Sequence, residues 1–351
     1  YNMAYASISK PSLHFNTKLY TGTGSTHNIT GLDFQPDWVW IKGRSFADAH
    51  YIYDSIRGVT NSIHSHSAAA EGSNVNSLTA FNSNGFTVGS EGGVNGNGQT
   101  LVSWNWLAGG SASSNTDGSI TSSVSANTTA GFSIVTYTGT GSDATVGHGL
   151  GAVPKVVLTK NRSSANNWAM YHASPGNTRS LPLDLNTYPP TSSAYWNNTT
   201  PTSSVFTVST GNDVNKSGDN MIAYCFAEKT GFSKFGKYTG NGSTDGAFVY
   251  TGFKPSFVII RRYDYNDNFN WITLDNKRPG YNVISQQLKP NLSDAEDSGN
   301  YTFADFYSNG FKLRNTAIDK NANGGTYAYL AFAEEPLVAN LTPSGIPATA
   351  R

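Results

Sequence analysis

Short apolar runs alternate with polar, glycine-rich stretches along the whole chain. Phe132-Ser133-Ile134-Val135-Thr136-Tyr137 alternates as a half-buried strand does. Trp38-Val39-Trp40-Ile41, Val156-Val157-Leu158 and Phe257-Val258-Ile259-Ile260 are aromatic or β-branched runs, each close behind a proline and each ending in polar residues. Leu101 to Trp106, Met221 to Ala227 and Tyr327 to Ala333 are three more, each following an Asn/Gly turn. Trp38 and Trp40, like Trp104 and Trp106, stand two apart and therefore share one face of a sheet. No long segment carries a 3.6-residue period. The helical candidates are short: Ser62 to Glu71, and Asn291 to Glu296 with Asn291 or Ser293 as cap. The pattern predicts an all-β chain of sandwich type.

The runs recur in register. Tyr20-Thr21-Gly22-Thr23-Gly24 returns as Tyr137-Thr138-Gly139-Thr140-Gly141 and as Tyr238-Thr239-Gly240-Asn241-Gly242. Each copy is followed by a proline-led apolar run and then an arginine: Arg44, Arg162 and Arg262. Asn84-Gly85-Phe86 matches Asn309-Gly310-Phe311, with Ser204-Val205-Phe206 as the weakest copy. A spacing of about 100 residues is too long for a solenoid unit and suits a small domain. The expectation is three tandem β-sandwich, jelly-roll-like modules of that size: residues 20–108, 131–229 and 232–335. An extended N-terminal segment, 1–19, precedes them and an extended tail, 336–351, follows. The Gly/Ser/Thr-rich stretch 109–130 has the composition of a linker.

Composition narrows the function classes. The 351 residues carry 23 acidic and 23 basic side chains, and charged residues are only 13%. A zero net charge argues against a broad nucleic-acid footprint. No apolar run approaches the length of a membrane span. Aromatics at 13% argue against disorder. The start lacks the basic and apolar regions of a signal peptide. The single Cys225 lies in a strand-like run and reads as a small buried hydrophobe.

Catalytic patterns are sparse. No nucleophile elbow, phosphate loop, CxxC pair or HExxH occurs. The Tyr-Thr-Gly-x-Gly copies have no lysine and read as turns. Asp294/Glu296 and Glu334/Glu335 read as solvated carboxylates rather than a glycosidase pair. His64-Ser65-His66 has two of the ligands a transition metal needs, and no third is evident. Residues 264–275 mimic a calcium loop, but Phe269 stands where glycine is required. No metal, cofactor or catalytic residue is assigned. Trp168, Tyr171, Trp196 and Trp271 lie near predicted loops and are the candidate contacts for a glycan or partner, against the alternative that they pack in a core or interface.

Several stretches carry a resemblance. They are Tyr20-Thr-Gly-Thr-Gly-Ser, Phe34-Gln-Pro-Asp-Trp-Val-Trp-Ile-Lys, Asp54-Ser-Ile-Arg57-Gly, Asn84-Gly-Phe86, Trp168-Ala-Met-Tyr-His172, Ala223-Tyr-Cys-Phe-Ala-Glu228 and Gly231-Phe-Ser-Lys-Phe-Gly-Lys-Tyr-Thr-Gly. Over roughly residues 14–335 the chain resembles virion structural proteins of tailed, mostly marine, bacteriophages. The resemblance implies a non-enzymatic tail-fibre, appendage or capsid-surface component. Its partners would be other virion proteins and further copies of itself, a trimer being favoured, with a host surface glycan as a further contact. The alternatives are a carbohydrate-binding, lectin-like adhesin and a spike that cleaves polysaccharide.

Overall fold

The computed structural model describes residues 6–338 apart from 281 and 300. Each apolar run picked out by its pattern is a strand. Repeat one holds β1 (Phe15–Thr21), β2 (His27–Thr30), β3 (Trp38–Gly43), β4 (His50–Asp54), β5 (Asn61–His64), β6 (Gly72–Ser73), β7 (Leu78–Asn82), β8 (Gly85–Val88) and β9 (Thr100–Trp106). Repeat two holds β10 (Ser113–Asn115), β11 (Ser122–Asn127), β12 (Phe132–Thr138), β13 (Ala144–Gly147), β14 (Val156–Asn161), β15 (Ala169–His172), β16 (Val205–Val208) and β17 (Asn220–Phe226). Repeat three holds β18 (Ser233–Thr239), β19 (Phe248–Tyr250), β20 (Phe253–Arg262), β21 (Ile272–Asp275), β22 (Ala304–Tyr307), β23 (Gly310–Leu313) and β24 (Thr326–Pro336).

In every repeat one long sheet contains the same four-strand order: β1-β9-β3-β4, β12-β17-β14-β15 and β18-β24-β20-β21. A small sheet faces it: β2-β8-β7, β13-β16 and β19-β23-β22. The chain is all-β with antiparallel, sandwich-type packing.

Both faces of each long sheet are buried, and the period of two assigns them. Val39 and Ile41 pack with Ile29, Phe86 and Val88 between the sheets of repeat one. Trp38 and Trp40 point the other way. Val157 and Val258 likewise face their own small sheets, in separate cores. The outward residues of all three long sheets, among them Trp104, Trp106, Leu158, Tyr224, Phe257 and Phe332, meet in one common core. Phe332 lies 5.3–6.3 Å, ring centre to ring centre, from Phe15, Trp106, Phe226 and Phe257, which span all three repeats. The cavity at the centre of this core is about 20 Å³, too small to admit a ligand.

The Tyr-Thr-Gly-x-Gly copies are clasps. Asn95, Asn215 and Asn321 are fully buried. Each accepts a bond from the backbone of Thr23, Thr140 or Asn241 (2.8–3.0 Å) and donates to the carbonyl of Ser25, Ser142 or Ser243 (2.5–2.8 Å). The hydroxyls of Tyr20, Tyr137 and Tyr238 cap the carbonyls of Val94, Val214 and Lys320 (2.5–2.7 Å). A side chain at Gly22 or Gly139 would meet a backbone oxygen at 2.2 Å, so only glycine fits there.

Several boundaries differ from those expected. Residues 109–130 do not form a free linker: β10 and β11 extend the long sheet of repeat two, β11 pairing with β12. Serine hydroxyls there satisfy backbone groups, Ser122 donating to Gly147 O (2.9 Å) and Ser125 accepting from Gly109 N (2.9 Å), so a linker-like composition builds strands. Residues 15–19 belong to β1, paired with β9, not to an extended lead-in. Residues 1–5 and 339–351 lie outside the described residues. The segment 62–71 opens as β5, and 291–296 is extended and hydrogen-bonds to repeat one rather than forming a helix. Among the described residues the α-helices are four-residue turns, α1 (Gly92–Asn95), α2 (Ser193–Trp196) and α3 (Asn212–Asn215), and a 3-10 turn spans Pro11–Leu13.

Because one core takes side chains from every repeat, the chain should unfold in a single calorimetric transition. Phe332→Ala should lower its stability by about 3–5 kcal/mol without splitting that transition. Separate peaks for separate repeats would contradict the shared core.

Candidate functional site

The four aromatic residues proposed as contacts are inside the protein. Trp168, Tyr171, Trp196 and Trp271 are 0%, 3%, 2% and 0% exposed. Trp168 and Trp271 pack in the common core, Tyr171 and Trp196 in the core of repeat two. Their indole N–H groups are spent on backbone: Trp168 on His64 O (2.8 Å), Trp196 on Arg179 O (3.1 Å), Trp271 on Pro182 O (2.8 Å). None is available to a glycan at the surface. The repeat register itself carried the signal: Trp168 and Trp271 occupy equivalent places just ahead of β15 and β21, a place where only structure is shared.

Those two bonds take equivalent places at two of the junctions between repeats. Repeat two donates to repeat one through Trp168, and repeat three to repeat two through Trp271. In repeat one the equivalent residue is His50, which faces the backbone of Lys289 in repeat three. Buried cations link the repeats in a cycle. Lys42 Nζ donates to Ser293 O (3.1 Å), Lys160 Nζ to Ala68 O (2.8 Å) and Arg261 Nη2 to Thr187 O (2.6 Å), each reaching the neighbouring repeat. Burial lowers both lysines to about 8 and the arginine to about 9.

His64-Ser65-His66 is explained by this register. His66 accepts from His50 N, where Asp184 accepts from Trp168 N and Asn291 from Trp271 N. The residue is a backbone acceptor. Among the described residues no three His, Cys, Asp or Glu side chains converge on a metal position. In the calcium-like loop, Asp264 pairs with Arg262 (2.9 Å) and Asp275 is buried against Arg278 (2.6 Å), so their oxygens do not converge. Cys225 is buried, and burial pushes its thiol up.

Two junctions carry ion networks that the sequence reading did not pick out. Asp54 and Glu71 grip Arg57, and Glu71 also binds Arg162 of repeat two (2.9 Å). Asp275 and Glu296 grip Arg278, and Glu296 also binds Arg44 of repeat one (2.9 Å). Tyr224 of repeat two donates to Asp54 (2.7 Å), and Trp104 of repeat one to Asp275 (3.1 Å). Burial raises the Glu71 carboxyl, but bonds from Arg162 and the charge of Arg57 outweigh it and hold it below the usual range. The recurrence Asp-x-x-Arg at 54–57 and 275–278 was the sequence signal. Arg262 does not take the place of Arg44 and Arg162, because strand pairing puts Tyr263 there.

The junction of repeats two and three differs. His172 stands where Asp54 and Asp275 stand, paired with Val156 as they are with Trp38 and Phe257. Its Nε2 lies 3.2 Å from Tyr329 O, and burial lowers it to about 4.

Outside the junctions, the aromatic surface is on repeat three. Phe248 and Tyr250 of β19 are 47% and 58% exposed. Tyr250 borders a groove of about 430 Å³ with Thr251, Ser233, Glu228 and Lys234. Glu228 accepts from Phe235 N (2.8 Å) and faces Lys234. This arrangement offers stacking and hydrogen bonding, and Glu228 is the one carboxylate among the described residues that line it.

A family model matches residues 10–336, from the first turn to the end of β24. The chain belongs to the DUF7483 family. That family is described as a domain of unknown function. The DUF7483 match spans all three repeats, as a shared core requires of a folding unit. No curated protein and no solved structure matches the chain.

Arg57→Leu should destabilise the protein by about 3–5 kcal/mol in denaturant titration, because it leaves Asp54 buried without its counter-charge and Glu71 with Arg162 alone. A loss below 1 kcal/mol would mean the network is dispensable. His172 is neutral in the folded chain down to about pH 4, whereas unfolded it binds a proton near 6.5. Its contribution is full above pH 6.5 and is lost as pH falls toward 4. Asp184, raised by burial to about 6, acts oppositely, favouring the folded state less as pH rises from 4 to 6. His172→Asn should therefore flatten the acid limb of stability against pH, and an unchanged slope would contradict this.

Proposed function

We propose that this DUF7483 chain is a non-enzymatic structural protein of a bacteriophage virion, an external fibre, appendage or capsid-surface component built from three sandwich modules. The observation that carries the reading is the closed threefold arrangement of repeats around one apolar core. Such a body is rigid, nearly uncharged overall and suited to repeated contact with neighbours. Both carboxylate pairs at the ion junctions are held by arginines, which supports a scaffold over a hydrolase. Burial of the strongest tryptophans in shared cores supports the same reading.

The partners proposed are other virion proteins, further copies of this chain in a trimer, and a host surface. The chain already supplies threefold geometry by itself, so a trimer would place nine sandwiches about a common axis. A lectin-like reading is favoured by one feature only, the exposed Phe248 and Tyr250 beside a polar groove.

Mass spectrometry and antibody labelling of purified particles test the proposal. The chain is expected in stoichiometric amounts on the particle exterior, and its absence from particles would overturn the reading. A glycan-array signal lost in Tyr250→Ala would move the assignment to the lectin-like alternative.

A further inference from the structure

The three small sheets are built alike but finished differently. In repeat two the outer edge of β13 is covered by the chain's own residues 118–121. Ile120 N donates to Thr145 O (3.0 Å), Thr145 N to Ser119 Oγ (2.9 Å), and Ser122 Oγ to Gly147 O (2.9 Å). Ile120 and Val146 form a parallel bridge. A Cβ at Gly147 would meet the side-chain amide of Asn115, the last residue of β10, which lies over it.

The equivalent edge in repeat three is β19. Val249 pairs with Phe311 as Val146 pairs with Phe206, so Phe248 and Tyr250 correspond to Thr145 and Gly147. Leu313 N donates to Ala247 O and Thr251 N to Asn309 O, so the odd-numbered residues bond β23. The backbone groups of Phe248 and Tyr250 therefore point away from it. Among the described residues nothing bonds them there. Repeat three follows repeat two through the tight turn at Lys229, which leaves no chain between them for a strap.

Edges of this kind are ordinarily guarded by a charge, a proline or a bulge. Phe248-Val249-Tyr250 has none of these. Its side chains supply apolar cover instead, Phe248 standing edge-on to Tyr307 (6.2 Å). β2 of repeat one presents Asn28 and Thr30 at the same places. The charges beside β19 are already matched, Asp245 with Lys312 and Glu228 with Lys234, so a neutral strand meets no opposing field.

We propose that the outer edge of β19 accepts an extended, uncharged strand from another polypeptide chain, by the pairing that residues 118–121 make with β13. The incoming backbone bonds Phe248 and Tyr250, and a small residue lies over Tyr250. This does not rest on the virion reading, since it follows from the edge geometry alone.

The test uses the full chain and a peptide of residues 118–123, acetylated and amidated, at millimolar concentration. Amide exchange at Phe248 and Tyr250 should slow by about threefold or more. Tyr250→Pro removes only an edge-facing N–H and no bond to β23, so it should keep its melting temperature and lose the effect. Phe248→Lys should weaken it through a charge, and covers the case in which the proline variant fails to fold. No slowing at saturating peptide, slowing at Asn28 and Thr30 instead, or slowing that persists in both variants would overturn the proposal.

Discussion

The two-sided burial of the long sheets is the constraint on which the rest of this structure depends. A sheet with one wet face can satisfy its polar positions with water. A sheet buried on both faces must find an apolar or hydrogen-bonded solution at every position. Here one face meets a small sheet of the same repeat and the other meets two neighbouring long sheets. The low charge content follows: with so many strand positions buried on both sides, few strand positions are open to a charge, among them Lys18 of β1 and Lys237 of β18.

Several of the charges that enter the interior lie at the seams between repeats, while Asp37 and Lys320 are held within one repeat or at its border. Lys42, Lys160 and Arg261 cap carbonyls of the adjoining repeat, and Arg57 and Arg278 bridge two carboxylates each. Buried ion pairs add little net stability over apolar packing, but breaking one is expensive. Their effect is to specify how the repeats sit on one another, since an apolar core alone tolerates rotation and slip. Arg261 is bonded only in part, with Nε and Nη1 unbonded and the guanidinium 5.8 Å from the ring centre of Trp271.

The all-β class and the long-sheet strands β3, β9, β12, β14, β17, β20 and β24 were legible in the period of two and in the recurrence of whole blocks. The alternation Trp38/Trp40 against Val39/Ile41 already stated that both faces are apolar. What it did not state was the partner of the outer face, because contact between repeats leaves no local pattern. For that reason Trp168 and Trp271 read as loop aromatics, although both are core. The stretch 109–130 misled for a different reason: strands whose hydroxyls bond backbone need few apolar residues, so composition resembled a linker. The ion networks were half visible as Asp-x-x-Arg, but Glu71 and Glu296 join them from distant loops. The exposed pair on β19 carried no signal beyond two aromatic residues in a short run.

The three junctions are related but not equal, and the inequality has a physical order. Two are closed by Asp, Arg and Glu. The third replaces the aspartate with His172 and has Pro175 where the arginines stand, so it lacks the Asp-Arg-Glu network. At that seam a donor is still needed, because the position of Trp104 and Tyr224 is taken by Leu330, which has none to give. His172 supplies it to the Tyr329 carbonyl, reversing the direction of the bond while keeping the contact. A homotrimer of single repeats would have to close all three seams with the same residues. One chain with three repeats can specialise each of them, and it can leave a sheet edge open in one repeat while sealing it in another.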